Sequence, residues 1–303
     1  MRVGYLGPEG TWGHQALLGA VVPAGAGAGV PAGARAGVPG GAGAGVPAGA
    51  RLVPVATIYE TVMAVHERTV ELALVPIENS LEGSVDVTLD ALATDAGDVA
   101  IVGETVQPIR NCLIAAAGVE LEAIETVYSH PQANAQCARF LRTRLPGARV
   151  VAASSTAEAV RTVAGDPGSP SAALGNHLAA ELYGARVLLD GVDDAPGNAT
   201  RFVWLALRDG APPPPAPASG RAKTSIVFWG AGDETPGWLV RCLSEFSDRE
   251  INLTRIESRP HRLGLGHYMF FADLEGAAGA TPVAAAIDRL EEHCETVRVL
   301  GSY

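Results

Sequence analysis

The run Val75-Pro-Ile-Glu-Asn-Ser-Leu-Glu-Gly-Ser84 decides how this chain is read. It closes the apolar segment Leu72–Ile77, whose length suits a strand, and then turns polar at Glu78-Asn-Ser80. Open α/β sheets present ligand groups where apolar strands end in polar side chains. The same join recurs elsewhere. Gly7-Pro-Glu-Gly-Thr11 follows the strand Val3–Leu6, Ser129-His-Pro-Gln132 follows Thr126–Tyr128, and Ser154-Ser-Thr156 follows Val150–Ala152. Pro131 suits a first helical position. Each join sets hydroxyls or amides where helix N–H groups lack partners, and such places attract carboxylates. Taken singly, each is also an ordinary helix N-cap. Further strands are expected at Leu52–Ala56, Val99–Val102, Ile109–Ala115, Ala172–Leu174 and Phe202–Leu207. A helix over Pro131–Leu145 carries Ala133, Cys137, Phe140, Leu141 and Leu145 on one stripe. The alternation predicts an α/β architecture with a largely parallel sheet.

The bulk properties narrow the function. A chain of 303 residues has room for two or three domains. With 48% hydrophobic but only 5% aromatic residues, its core must be built from Ala, Val and Leu. A net charge of -11 argues against nucleic acid and against an anionic membrane surface. Cys112, Cys137, Cys242 and Cys294 are scattered without a CxxC, which fits a reduced, cytoplasmic protein. No basic leader precedes Val3, so no signal peptide is expected. Ala16–Ala34 is uncharged but broken by Gly and Pro, unlike a membrane span. The histidines lack metal-ligand spacing and no GxGxxG follows a strand, so neither metal nor cofactor is expected.

Two segments interrupt the pattern. Residues 20–51 repeat Gly-Ala-Gly-Ala-Gly-Val-Pro-Ala-Gly-Ala-Arg at 25–35 and 41–51, and read as a flexible insertion. Ala211-Pro-Pro-Pro-Pro-Ala-Pro-Ala-Ser-Gly220 reads as a semi-rigid linker. Beyond it the expected order is strand Lys223–Trp229, helix Pro236–Asp248, strands Asn252–Glu257 and Gly266–Leu274, helix Thr281–Cys294 and strand Thr296–Leu300. This is a βαββαβ, ferredoxin-like unit.

Asn198-Ala-Thr-Arg-Phe202 brings an amide, a hydroxyl and a guanidinium to the start of a strand, and Arg can hold a carboxylate bidentately. With Gly7–Thr11, Pro76–Ser84 and Ser129-His-Pro-Gln-Ala-Asn-Ala-Gln136, this ordered set resembles prephenate dehydratase. Ile251-Asn-Leu-Thr-Arg-Ile-Glu-Ser-Arg-Pro260 is similar to the ACT regulatory domain of the same enzymes. The resemblance spans nearly the whole chain outside 20–51 and the linker. It implies a catalytic domain over 1–207, made of two periplasmic-binding-protein-like lobes (1–104 with 187–207, and 105–186), a linker at 208–222 and an ACT domain at 223–303. The implied reaction is loss of water and carbon dioxide from prephenate to give phenylpyruvate, in phenylalanine biosynthesis.

The resemblance makes Thr200 the candidate proton donor to the departing hydroxyl, with Glu78 as the rival acid. Asn79 and Gln136 would fix the substrate. Arg201 and the helix ends near Thr11 and Ser155 would hold its carboxylates. Ser80, Ser129, His130, Thr156, Asn198 and Phe202 complete the expected pocket, with His130 read as structural or close to substrate. Gly237, Trp238, Leu239, Glu257, Ser258, Arg259 and Pro260 resemble the L-phenylalanine effector site formed between paired tails, so a dimer or tetramer is expected. Trp238 replaces a small residue usual in the family. It implies altered feedback, unless it packs elsewhere, as in a dimer interface. Asn111 stands where the family often has His, and Trp12 where Phe or Tyr is common. Arogenate as substrate, or a non-catalytic sensor on the same fold, are the alternatives.

Overall fold

The computed structural model describes residues 1–19, 49–209, 222–230, 232, 234–261 and 264–303. The first repeat, residues 41–48 of the second, and the proline-rich segment lie outside the described residues. The chain opens with β1 (Arg2–Leu6), α1 (Trp12–Gly19), β2 (Arg51–Val55), α2 (Ile58–His66), β3 (Leu72–Asn79), β4 (Gly83–Ser84), α3 (Asp86–Asp90, continued by a π-turn over Ala91–Asp95) and β5 (Val99–Pro108). Next come β6 (Cys112–Ala115), β7 (Thr126–Ser129), α4 (Pro131–Gln136), α5 (Ala138–Arg144), β8 (Arg149–Ala152), α6 (Thr156–Ala164), β9 (Ser171–Gly175), α7 (His177–Tyr183) and β10 (Arg186–Leu189). β11 (Ala199–Leu207) precedes the tail. The tail is β12 (Lys223–Trp229), α8 (Trp238–Ser247), β13 (Leu253–Pro260), β14 (Tyr268–Glu275), α9 (Thr281–Glu291) and β15 (Thr296–Ser302).

Two sheets form the scaffold. The larger runs β13-β14-β12-β15-β5-β11-β3-β1-β2, with β4 paired to β3, and the smaller runs β10-β6-β9-β7-β8. Each sheet anchors one lobe of a mixed α/β, binding-protein-like fold. The sheets are less parallel than expected: β1 pairs parallel with β2 and β3, but β11 runs antiparallel to both β3 and β5. The cause is the route of the chain. β5 leaves the first lobe at Pro108 and β11 re-enters beside it, with Ala199 opposite Pro108, so the two crossing strands lie head to tail.

The crossings fall later than the sequence suggested. β5 keeps its pairing with β11 to Pro108, and β10 still belongs to the second sheet. The chain therefore changes lobe near 109–111 and again between 190 and 198, rather than at Glu104 and Arg186. The expected helix 131–145 is also broken, at Cys137. The Asp194 carboxylate accepts from the N–H groups of Arg139 (2.6 Å) and Phe140 (3.0 Å), capping a new helix start there.

The tail has the expected βαββαβ order, but it is not a free-standing appendage. One face of its sheet packs Ile226, Phe228 and Leu274 against Trp238, Cys242, Phe246 and Leu290 of its own helices. The opposite face sends Val227, Met269, Phe271 and Tyr303 into a core shared with Ile77, Leu89, Leu92 and Val203 of the first lobe. The apolar run Ile226-Val-Phe228 is buried on both faces, which explains its lack of alternation. At the seam Gly301 lies opposite Ile101, and a Cβ there would collide with the Ile101 backbone.

Candidate active site

The site grows from the meeting of β3 and β11, where Thr200 faces Asn79 and Arg201 faces Glu78. Successive strand residues point to opposite faces, so Thr200 and Arg201 diverge. On the Thr200 face, Asn79 Nδ2 donates to Thr200 Oγ1 (2.9 Å) and to Asn198 Oδ1 (2.9 Å). Asn79 Oδ1 accepts from the backbone N–H groups of Leu81 (2.9 Å) and Glu82 (3.1 Å). These backbone donors fix which way the amide points. Thr200 must therefore accept from Asn79. Among the described residues nothing takes the Thr200 hydroxyl proton, which stays available for donation.

The second lobe reaches this seam through α4. Asn198 Nδ2 donates to Gln136 Oε1 (3.2 Å), and Gln136 Nε2 donates to Glu82 Oε1 (3.3 Å). Ser80 Oγ accepts from Ala199 N (3.0 Å) and donates to Asn198 Oδ1 (3.4 Å). Asn79, Asn198 and Thr200 are buried. Thr200, Asn79, Asn198, Ser80 and Gln136 thus come together, with Glu82 as a member the sequence reading missed. Its signal was its place in the same polar turn.

Arg201 departs from its expected role. Its Nε donates to Glu78 (2.9 Å), Nη1 to Glu104 (3.1 Å) and Nη2 to Asp273 of the tail (2.6 Å). Burial alone would lower its pKa, but Asp273, Tyr303, Glu104 and Glu78 outweigh that and hold it above the ordinary value. A guanidinium spent on three protein carboxylates does not hold a substrate carboxylate. Glu78 is corrected with it: its carboxylate pairs with Arg201 on the face away from the Thr200 hydroxyl, not in position as an acid.

Two more expected ligand contacts are structural. Ser129 is fully buried and donates to Leu174 O (3.1 Å) inside the second sheet. Phe202 packs with Val3, Tyr5 and Trp204 in the first-lobe core. The remaining candidates sit at helix starts. Thr11 Oγ1 donates to Leu6 O (2.9 Å) and accepts from His14 N (3.3 Å). Ser155 Oγ accepts from Glu158 N (3.0 Å), His130 Nδ1 accepts from Gln132 N (3.3 Å), and Thr156 is buried at the first position of α6. The Thr11 loop also touches the other lobe: Tyr183 OH donates to Glu9 O (2.8 Å), and a Cβ on Gly10 would press on Ala179. Asn111 is buried and held by Asp193, its N–H and Nδ2 donating at 2.7 and 2.6 Å.

In the tail, the two expected effector segments separate. Gly237, Trp238 and Leu239 line a cavity of about 300 Å³ with Thr235, Val240, Tyr268 and Phe270. Trp238 is nonetheless a core residue of its own chain: its indole donates to His293 O (2.7 Å) and its ring meets Phe228 and Phe270. On β13 the burial alternates, leaving Ser258 and Pro260 exposed. Glu257 accepts from Ser84 Oγ (2.8 Å), and Arg259 pairs with Asp86 (2.5 Å) and Asp90 (2.9 Å). Within one chain, Glu257 and Arg259 therefore fasten the tail to the first lobe instead of lining the cavity. Among the described residues one trio could hold a metal ion, Cys112, His177 and Asp190. Asp190 already meets Arg110 (3.1 Å) and His177 (3.2 Å), and burial with Asp190 pushes the Cys112 thiol up to about 12, so it is a poor thiolate ligand.

Two α/β lobes that meet at a buried hydroxyl–amide seam define a two-lobed, binding-protein-like fold with its polar site between the lobes. The family model for prephenate dehydratase matches residues 40–209, more than half of the chain. A prephenate dehydratase from Mycobacterium sp. (strain JLS) is 40% identical over 306 residues, covering 100% of this chain and 88% of that protein. The crystal structure of prephenate dehydratase from Arthrobacter aurescens in complex with L-Phe superposes with a TM-score of 0.81 at 34% identity, covering 100% of this chain and 89% of that one. The chain belongs to the prephenate dehydratase family, and its activity is the hydro-lyase reaction that turns prephenate into phenylpyruvate. GqqA, described as a novel type of quorum quenching acylase, has the same fold at a TM-score of 0.79 and 29% identity, covering 100% of this chain and 97% of that one. Since one fold can host different chemistries, residue roles are argued from the site. Among the described residues no helix is long and apolar enough to cross a membrane.

Proposed function

We propose that Thr200 delivers the proton to the hydroxyl leaving prephenate while the ring carboxylate departs as carbon dioxide. The carrying observation is the Asn79 Nδ2–Thr200 Oγ1 hydrogen bond of 2.9 Å, in an amide whose oxygen is held by two backbone N–H groups. As the proton moves, negative charge grows on Oγ1, and the Asn79 N–H already points at that atom. Preorganised donors of this kind stabilise charge that develops in the transition state. A threonine hydroxyl is a weak acid, so its role is a relay whose anionic form is brief. Aromatisation of the ring supplies the driving force. Gln136 and Asn198 would exchange their long mutual hydrogen bond for bonds to substrate. With Arg201 committed elsewhere, the helix starts near Thr11 and Ser155 are the remaining motif-derived sites for the carboxylates.

The tail is proposed to be an ACT domain that senses L-phenylalanine. The Arthrobacter relative's complex with L-Phe and the cavity at Gly237–Leu239 support this reading. The edge strand β13 exposes Ile256, which favours pairing of two tails into a dimer or a dimer of dimers. Four free cysteines agree with a reducing, cytoplasmic setting. Ultraviolet detection of phenylpyruvate tests the reading. Thr200→Ala should lose about 10²–10⁴-fold in kcat, the usual worth of positioned acid catalysis. Near-full turnover by that variant would remove Thr200 as the donor. A folded wild type inactive on prephenate but active on arogenate would shift the substrate, and one inactive on both would favour a sensor.

A further inference from the structure

Asp273 belongs to the tail, yet it supplies the buried countercharge for the strand that carries Thr200. Its carboxylate is almost inaccessible and accepts from Arg201 (2.6 Å), Arg255 (3.0 Å) and Ser225 (2.6 Å). Three cations (Arg201, Arg255, Lys223) balance three anions (Asp273, Glu78, Glu104) in this cluster. Arg255 extends the grip: its Nη1 donates to Ser84 Oγ (3.2 Å), and β4 pairs Ser84 with Glu78 and Gly83 with Asn79. The tail thus holds both strand ends that bear the hydroxyl–amide pair, from the face opposite the cleft. The β11–β3 register slips between Arg201 and Phe202, a bulge that bends the strand pair beside the residues the tail grips.

We propose that Asp273 is a positioning residue for the reaction, setting through Arg201, and through Arg255 to Ser84, the place at which β11 and β3 hold Thr200 and Asn79. The tail is then part of the catalytic framework, and displacement of Asp273 is a route by which events in the tail reach the cleft. This inference rests on the Thr200 reading above.

Prephenate turnover by the full-length chain, measured below the thermal midpoint of each variant, tests it. The set is wild type, Asp273→Asn, Asp273→Glu, Thr200→Ala and the Asp273→Asn/Thr200→Ala pair. Misplacement of a reacting group by about 1 Å costs up to ~100-fold, so Asp273→Asn should lower kcat by roughly 10- to 100-fold. KM should move by less than about threefold, as for an interaction realised in the transition state. Asp273→Glu should recover part of the loss, and the double variant should be no slower than Thr200→Ala alone. A wild-type kcat for Asp273→Asn beside an inactive Thr200→Ala overturns the proposal, as do additive losses in the double variant. An active Thr200→Ala would overturn the donor assignment instead, while the kcat of Asp273→Asn still reports whether the tail positions the site. Should Asp273→Asn fail to fold, Arg255→Gln replaces it. That variant keeps the Asp273–Arg201 pair and cuts the tie to Ser84, so wild-type turnover there overturns the proposal and a kcat loss supports it.

Discussion

Asn79→Asp is the sharpest perturbation of the proposed mechanism, because it changes one donor into an acceptor and leaves the shape intact. In the native site Asn79 Nδ2 lies 2.9 Å from both Thr200 Oγ1 and Asn198 Oδ1. The two backbone N–H groups that hold Oδ1 would hold one carboxylate oxygen equally well. The second carboxylate oxygen then faces Thr200. The Thr200 proton turns toward it, and the leaving hydroxyl loses its donor. Any negative charge growing on Oγ1 would also meet an anion where it now meets an N–H. Both effects act on the proton-transfer step, so kcat should fall by about 10²–10⁴-fold. Burial raises the pKa of the introduced carboxyl. As pH falls through that value the carboxyl gains a proton, can donate to Oγ1 again, and turnover should partly recover. The assay is a pH profile of phenylpyruvate formation for wild type, Asn79→Asp and Thr200→Ala. A kcat within about threefold of wild type near neutral pH would refute the reasoning. So would a profile for Asn79→Asp that shows no recovery on the acid side.

Two predictions concern stability. Arg255 and Arg201 outweigh the burial of Asp273 and hold its carboxyl down to about 2. Its contribution is therefore complete above about pH 4, where the unfolded carboxylate is also ionised, and is lost as pH falls from 4 to 2; the shift is worth about 2 kcal/mol. Denaturant titrations over that range should show Asp273→Asn losing less stability with acid than wild type, and identical slopes would contradict the pairing. Trp238→Ala should cost about 3–5 kcal/mol, as expected for truncating a large buried side chain, because the indole is only 4% exposed and packs on Phe228 and Phe270. A loss of unfolding free energy below about 1 kcal/mol in denaturant titration would mean that Trp238 is not a core residue, since surface changes are usually that small.

The alternation of strand and helix was legible because each strand is a short apolar run that ends in a polar turn, as at Leu72–Ser84 and Thr126–Gln132. The hydroxyl–amide pair was legible for the same reason: Asn79 and Thr200 both sit at strand ends. What failed was the assignment of faces. Reading the last strand as Phe202–Leu207 left Thr200 and Arg201 in a loop, free to serve one ligand together. The strand in fact begins at Ala199, and the two-residue period then forces them apart. The lobe crossings were misplaced because β5 continues in-sheet past the point where its apolar character weakens, and because the short strand β10 at Arg186–Leu189 was not expected.

The same period carries the relation of tail to catalytic lobe. Arg255, Glu257 and Arg259 recur at every second position of β13, a charged stripe on one face of a strand. Such a stripe must meet solvent or countercharge. Here Asp273, Ser84, Asp86 and Asp90 supply the partners, three of the four from the first lobe. A tail that only sensed a ligand would have no use for a charged face so fully paired toward the enzyme. The buried ion pair that joins tail and lobe is Arg201–Asp273, and losing one partner of such a pair typically costs about 3–5 kcal/mol, because the other charge stays behind without compensation. The tail can therefore shift as a unit only by exchanging these partners together. Effector binding in the tail would act on the cleft by biasing that exchange, not by transmitting a small strain through a chain of neutral contacts.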